Sequence, residues 1–269
     1  MIKERFANLE IIYDEKYIEE KDMVINNYEP ILCLINDLWG FKLENEVRIY
    51  IVKSELKFFF HSYPLINKIL LFSILFPIWY SRERNTWKTW AGINNNKSKI
   101  PSMYLKPIEA YKNNNTVIGK SIYRKNSDDK EKFKNIFCQL LVKLSYKSSL
   151  PVWIDAGISM VTNYYYNKQK VRNDSIELFN KDIKYKEIVI TDYHINNIDA
   201  IVYNYVKGYW TVRYLEENHP GFLKEIFRKS ESEKIVKQIA KKMDLNIDNS
   251  VSFWEELDNL LYKYFKNSL

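Results

Sequence analysis

The sequence predicts an α+β fold: a small mixed β-sheet near the N-terminus, a pair of helices in the middle and a helical C-terminal lobe. Strand-like runs at 8–13 and 47–52 enclose a segment with helical periodicity at 16–39, an order typical of the start of an α/β sheet. The 269 residues include only 6 Gly and 7 Pro, which argues against a turn-rich β-sandwich.

The segment 16–39 is the most regular early helix. Gly40 follows it and suits a helix C-terminus, because glycine adopts the left-handed conformation found there. The apolar side predicted for this helix consists of Tyr17, Met23, Tyr28, Ile31, Leu32 and Ile35.

Two later runs, 102–106 and 117–123, are short and extended, and we expect them to add strands to the sheet. The asparagine-rich tracts 94–96 and 113–115 are expected to form loops, because asparagine favours turns.

The composition indicates a folded domain with reduced thiols. Hydrophobic residues make up 46% and charged residues 28% of the chain, so a substantial core can form. The two cysteines, Cys33 and Cys138, cannot provide a disulfide framework. The first residues, MIKERF, lack the apolar run of a secretory signal, and we therefore expect a cytoplasmic protein. The net charge of +7 permits binding to anions without identifying one.

The most apolar segment spans residues 58–80. Its length suits a membrane span, but His61, Asn67 and Lys68 interrupt it, and Pro64 and Pro77 would bend it. One interpretation is a helical hairpin buried under the sheet. The other is contact with an anionic membrane surface, in which Trp79, Tyr80 and the basic residues after them act as an interfacial anchor, placing the protein at the inner face of the membrane.

Two helices are expected in the middle of the chain, and from about residue 175 the chain reads as mostly helical. One helix is expected to begin after Ser127, and another after Pro151, because proline suits the first turn of a helix. No linker separates the halves, so we expect two closely packed lobes, 1–170 and 171–269. Further helical patterns lie at 198–217, 220–228, 231–243 and 250–266.

Residues 133–162, FKNIFCQLLVKLSYKSSLPVWIDAGISMVT, contain a Leu-Pro-x-Trp connection followed by Gly157. This stretch resembles the active-site helix pair of the peptidase MA-like gluzincins, the thermolysin-like zinc metallopeptidases. In that family, His-Glu-x-x-His places two zinc ligands one turn apart on the first helix. A glutamate of the next helix is the third ligand, and the glutamate beside the first histidine takes a proton from the zinc-bound water.

Aligning the chain with the family's pattern implies that the zinc site has been lost. The resemblance places Cys138 at the first histidine, Gln139 at the catalytic glutamate, Val142 at the second histidine and Ala156 at the glutamate ligand. Asp155 precedes that last position by one residue, which turns it about 100° away on a helix. The resemblance therefore implies zincin-like active-site helices with no catalytic residue, no metal and no cofactor.

A second stretch extends the resemblance. Residues 203–215 are similar to a downstream helix of the family, in which tyrosines are spaced around a small residue, here Gly208. Tyr205 and Tyr209 are candidate packing residues, and together with Asp155 they are candidate residues for ligand binding in the cleft. The three histidines, His61, His194 and His219, do not pair at i, i+4 and suggest no replacement zinc site.

The favoured hypothesis is a catalytically inactive metallopeptidase-like protein that binds a peptide or protein partner through the vestigial cleft and its edge strand. One alternative is a membrane-surface-associated interaction protein using residues 58–90. Another is a zinc-independent hydrolase, for which the Cys138 thiol is the candidate nucleophile, although no motif supplies a base beside it. Nucleic-acid binding is not expected, because no module of that class is visible.

Overall fold

The computed structural model describes residues 1–54, 57, 91–95, 99–110, 128–146, 150–168, 198–229, 232–246 and 250–266. It confirms a mixed α+β fold. The expectations for 58–80, 113–115 and 117–123 lie outside the described residues. The chain forms two compact units, the first containing residues 1–33, 42–117 and 126–145, and the second 34–41, 118–125 and 146–269. The predicted division at residue 170 borders the segment 169–197, which is also outside the described residues, and stays a prediction.

The first unit contains a five-stranded mixed sheet with strand order β1-β2-β3-β5-β4. The central strands β2, β3 and β5 are parallel, and the outer strands β1 and β4 are antiparallel to their neighbours. The strands predicted at 8–13, 47–52 and 102–106 are confirmed. The five strands are β1 (Ile2–Phe6), β2 (Leu9–Tyr13), β3 (Val47–Ile51), β4 (Gly92–Asn95) and β5 (Ser102–Leu105).

The prediction of a loop at 94–96 was wrong for its first two residues, which belong to β4. Asn94 and Asn95 pair with Met103 and Ser102 of β5. Strand formation depends on cross-strand partners more than on intrinsic preference, so pairing with β5 overrides the low strand propensity of asparagine. Residue 96 lies outside the described residues.

Helix α1 (Ile18–Trp39) follows a short 3-10 turn and connects β2 to β3. Gly40 ends it as predicted: its φ is +72° and its N–H donates to the Asn36 carbonyl at 2.9 Å. The predicted apolar side needs one correction, because Met23 and Leu32 are only half-buried whereas Val24 is buried. Val24 lies at i−4 from the buried Tyr28 and so on the same side of the helix, whereas Met23 is turned away from it.

Glu10 is a charged residue in the otherwise apolar strand β2. Its side chain is buried and forms ion pairs with Lys3 of β1, at 2.6 Å, and with Arg48 of β3. Burial opposes its ionisation, but the hydrogen bonds from Lys3 and Arg48 outweigh this and lower the pKa of Glu10. The cluster joins three neighbouring strands on one face of the sheet.

The remaining described elements are helices, and the helical segments predicted in the second half are confirmed. Helix α2 belongs to the first unit and the others to the second. None of the helices in the described part of the chain is both long enough and apolar enough to cross a membrane. These helices are α2 (Asp129–Ser145), α3 (Val152–Asn167), α4 (Ile198–Asn218), α5 (Phe222–Lys229), α6 (Ser232–Lys242) and α7 (Ser250–Phe265).

Candidate functional site

Helix α2 carries three of the four positions that the resemblance assigns to a zinc-binding motif. Cys138 and Val142 are both 0% exposed, one helical turn apart, while Gln139 between them is half-buried. Valine has no atom that can coordinate a metal, and a glutamine amide cannot accept a proton near neutral pH. At these positions α2 therefore contributes core packing rather than a ligand pair.

The Cys138 thiol is also poorly suited to nucleophilic chemistry. Burial alone raises its pKa well above the ordinary value, so the thiol stays protonated at neutral pH. Among the described residues, no three His, Cys, Asp or Glu side chains are grouped so that they could hold a metal ion. The zinc-independent hydrolase based on Cys138 stays a prediction.

The two cysteines should react very differently with a thiol reagent. Cys33 is exposed on α1, whereas Cys138 is buried. We expect Ellman's reagent to modify one thiol per native chain rapidly and a second only after unfolding in guanidinium, because only the accessible thiolate reacts. A Cys33→Ser variant should have no fast-reacting thiol when native. Rapid modification of Cys138 in that variant would contradict the buried placement.

Helix α3 carries the fourth position, Ala156, which is buried and has no donor atom. The neighbouring Asp155 is also buried, at 6% exposure, and accepts a hydrogen bond from the Tyr146 hydroxyl. Asp155 thus has a hydrogen-bond partner, Tyr146, within its own unit.

Asp155 begins a polar row at i+4 intervals that continues through Ser159 and Asn163. Ser159 Oγ and Asn163 Nδ2 are buried and have no hydrogen-bond partner in the described part of the chain. The sequence analysis did not identify this row. Its signal was a four-residue spacing of small polar side chains in an otherwise apolar helix.

Helices α3 and α4 meet at a close crossing between Gly157 and Gly208. A Cβ atom at Gly208 would overlap the Trp153 carbonyl oxygen and lie 2.9 Å from the Gly157 nitrogen. A Cβ at Gly157 would overlap the backbone of Gly208 and lie 2.7 Å from Val212 Cγ2. Both glycines are needed because the two backbones are nearly in contact.

The tyrosines of α4 proposed as cleft residues are buried beside this crossing. The Tyr209 hydroxyl accepts a hydrogen bond of 3.0 Å from Arg213 of the same helix. Burial raises the pKa of Tyr209 to about 12 in spite of that guanidinium. The Tyr209 ring also packs edge-on against Tyr164 of α3. These contacts make Tyr209 part of the α3–α4 packing.

Strand β4 forms one edge of the sheet in the part of the chain that the structure describes. The Lys106 N–H donates to the Ala91 carbonyl at 3.0 Å, which makes these two residues a hydrogen-bonded pair. Such pairs alternate along an antiparallel ladder. In the register of β4 and β5, Gly92 and Asn94 occupy the intervening positions. Their N–H and C=O groups therefore point away from β5, towards the open side of the sheet.

Helix α2 packs directly on this edge strand. A Cβ at Gly92 would lie 2.5 Å from Leu140 Cδ1 and 3.3 Å from Ile136 Cγ2. The Asn94 side-chain amide donates to the Leu140 carbonyl at 2.8 Å. Gln139, which the resemblance places at the catalytic glutamate, immediately precedes Leu140 on α2. The first unit thus places the edge strand next to the helix that carries Cys138, Gln139 and Val142.

No protein-family model matches the chain, and no curated protein matches it either. The gluzincin resemblance therefore remains an inference from the residues quoted above. Its strongest elements are the Leu-Pro-x-Trp connection, Gly157 and the tyrosine pattern around Gly208.

Proposed function

We propose that this protein is a catalytically inactive metallopeptidase-like protein of gluzincin type that binds an extended peptide segment of a partner along β4, whose outer side has no neighbouring strand among the described residues. The observation that carries the proposal is the placement of that edge against α2, whose metal and base positions hold Cys138, Gln139 and Val142. A site with this composition can hold a peptide but cannot activate water on zinc.

The support from α2 is chemical. Two of its three motif positions are fully buried, and the third is an amide instead of a carboxylate. Ala156 of α3 likewise offers no ligand atom. The side chains at these four positions therefore do not fit a zinc ion.

The support from β4 is geometric. An extended peptide can pair with a free strand edge through backbone hydrogen bonds, which provide affinity with little dependence on sequence. Here the outward groups belong to Gly92 and Asn94. All four residues of β4 are half-exposed, so an added strand can approach them. Specificity would come from the alternate side chains of the peptide that face α2.

The test measures bound metal and peptide binding on the same protein. After dialysis against micromolar zinc, we expect no stoichiometric metal by elemental analysis. On an array of seven-residue peptides, we expect Asn94→Pro to lose binding and Asn94→Ala to retain it. Both variants lose the Asn94–Leu140 hydrogen bond, but only proline removes the outward backbone N–H. Circular dichroism of each variant checks that the fold is kept.

Three results would overturn the proposal: one tightly bound zinc per chain, zinc-dependent cleavage of any array peptide, or equal peptide binding by the proline and alanine variants. Backbone N-methylation of a bound peptide gives an independent check. Methylation should abolish binding at every second residue only, because alternate amides of an added strand face β4.

The membrane-surface alternative based on residues 58–90 lies outside the described residues and stays a prediction.

A further inference from the structure

Helix α3 contains two buried polar side chains whose hydrogen bonding is incomplete. Ser159 and Asn163 are both 0% exposed. The Ser159 hydroxyl and the Asn163 amide nitrogen Nδ2 have no hydrogen-bond partner among the residues that the structure describes. Buried polar groups in native proteins are almost always satisfied by protein atoms or by ordered water, because an unsatisfied group costs its full desolvation energy. These two atoms therefore call for a partner.

Ser159 differs from other buried hydroxyl residues in the described helices. The hydroxyls of Ser145, Thr162 and Thr211 each donate to the carbonyl four residues earlier, at 2.7, 2.7 and 2.8 Å. This bond to the helix backbone is a common way to satisfy a hydroxyl inside a helix. Ser159 makes no such bond to the carbonyl of Asp155. Its hydroxyl is therefore available to a partner outside the α3 backbone.

The Asn163 amide keeps an unsatisfied end in either orientation. Its oxygen Oδ1 accepts a hydrogen bond of 2.7 Å from Asn167 Nδ2, which leaves Nδ2 of Asn163 on the other side. If both amides were turned over, Oδ1 of Asn163 would take the place of Nδ2 and would lack a partner instead. A ligand at this position has to satisfy one end of a neutral amide.

The two atoms lie on the same side of α3, since Ser159 and Asn163 are four residues apart. The Cβ atoms of such a pair are about 5–6 Å apart. One water molecule that makes two hydrogen bonds of about 3 Å spans this distance. Ala156 lies on the same side, seven residues before Asn163, and its methyl group leaves more room there than a larger side chain would.

We propose that one buried water molecule binds between the Ser159 hydroxyl and the Asn163 amide, independent of the peptide-binding function proposed for β4. The water oxygen accepts from Nδ2–H of Asn163, and the serine hydroxyl can donate to the water or accept from it. A metal cation fits less well, because an amide N–H offers no lone pair. An anion would lie one helical turn from the Asp155 carboxylate, which would repel it.

The test counts the internal water molecules of the full chain by oxygen-17 relaxation dispersion of the solvent. The test variant is Ser159→Ala/Asn163→Leu, which removes both polar groups without a large change in volume. The matched control is Ser145→Ala, whose hydroxyl already bonds to the Leu141 carbonyl of its own helix. We expect the test variant to hold one water molecule fewer than the wild type, and the control to hold the same number. Circular dichroism checks that each variant is folded.

Two further readouts do not depend on the double variant. A crystal structure of the wild type should show a water molecule within about 3.2 Å of both Ser159 Oγ and the Asn163 amide. Ser159→Ala by itself should lower the urea midpoint of unfolding, because the water molecule loses one of its hydrogen bonds.

The proposal is overturned if the folded double variant holds as many internal water molecules as the wild type, or if the crystal structure places only protein atoms beside Ser159 Oγ and the Asn163 amide. A higher urea midpoint for Ser159→Ala would also overturn it, since removing a hydroxyl that has no partner relieves a desolvation cost.

Discussion

Replacing Gly208 by alanine should lower the free energy of unfolding by about 3 kcal/mol or more, or prevent folding. In an ordinary helix interior the same change would stabilise the protein by about 1 kcal/mol, because alanine has the higher helix propensity. Here the added methyl would overlap the Trp153 carbonyl oxygen of α3. Backbone atoms of a packed helix cannot rotate aside, so α3 and α4 would have to move apart and lose their contact.

Urea unfolding followed by circular dichroism measures this loss. Gly157→Ala should be destabilising as well, since its methyl would meet the Gly208 backbone. Gly221→Ala is the control: its φ is +78° and no atom lies within 4 Å of the added Cβ, so only backbone strain of about 1 kcal/mol is expected. If Gly208→Ala were as stable as the wild type, the close crossing of α3 and α4 would be wrong.

Replacing Lys207 by methionine should cost about 3–5 kcal/mol of stability. The Lys207 side chain is 0% exposed and its ammonium lies 2.8 Å from Asp258 Oδ1, which is 5% exposed, on α7. The ammonium also lies 4.5 Å from the centre of the Trp254 ring. Removing the lysine would leave the Asp258 carboxylate buried without its counter-ion, and that desolvation penalty is the main source of the loss.

A second replacement should restore much of the lost stability. In Lys207→Met/Asp258→Leu both charges are gone, and a buried ion pair often contributes little more than apolar side chains of similar volume. The control is Lys132→Met in the exposed Lys132–Asp129 pair, which should change stability by less than about 1 kcal/mol. If the double variant were no more stable than Lys207→Met, charge pairing would not be the reason for the single variant's loss.

The two glycine replacements also bear on the proposed relationship to gluzincins. Gly157 and Gly208 are both positions that carry the resemblance, one within α3 and the other in the tyrosine pattern of α4. A large loss of stability at both would assign them to helix packing, a role that can persist after catalytic residues are lost. Tyr209, which packs next to the crossing against Tyr164, belongs to the same contact.

Most of the secondary structure could be predicted from the sequence because its signals are local. The apolar periodicity of α1 and the glycine after it determined where that helix ends, and the apolar runs of β2, β3 and β5 gave those strands. Helix α1 still differed from expectation at Met23 and Val24, because a periodic pattern fixes the apolar side of a helix only to within about one residue.

The sequence by itself determined that the side chains of Val142 and Ala156 cannot hold a metal, since valine and alanine lack metal-binding atoms in any conformation. Only the tertiary structure decided that β4 exists, because its asparagines become a strand through pairing with β5. It alone also decided which β4 backbone groups face outward, that Gly208 meets Trp153, and that Lys207 is buried against Asp258. Each of these depends on residues distant in the chain, and no local pattern records which distant residue will be the partner.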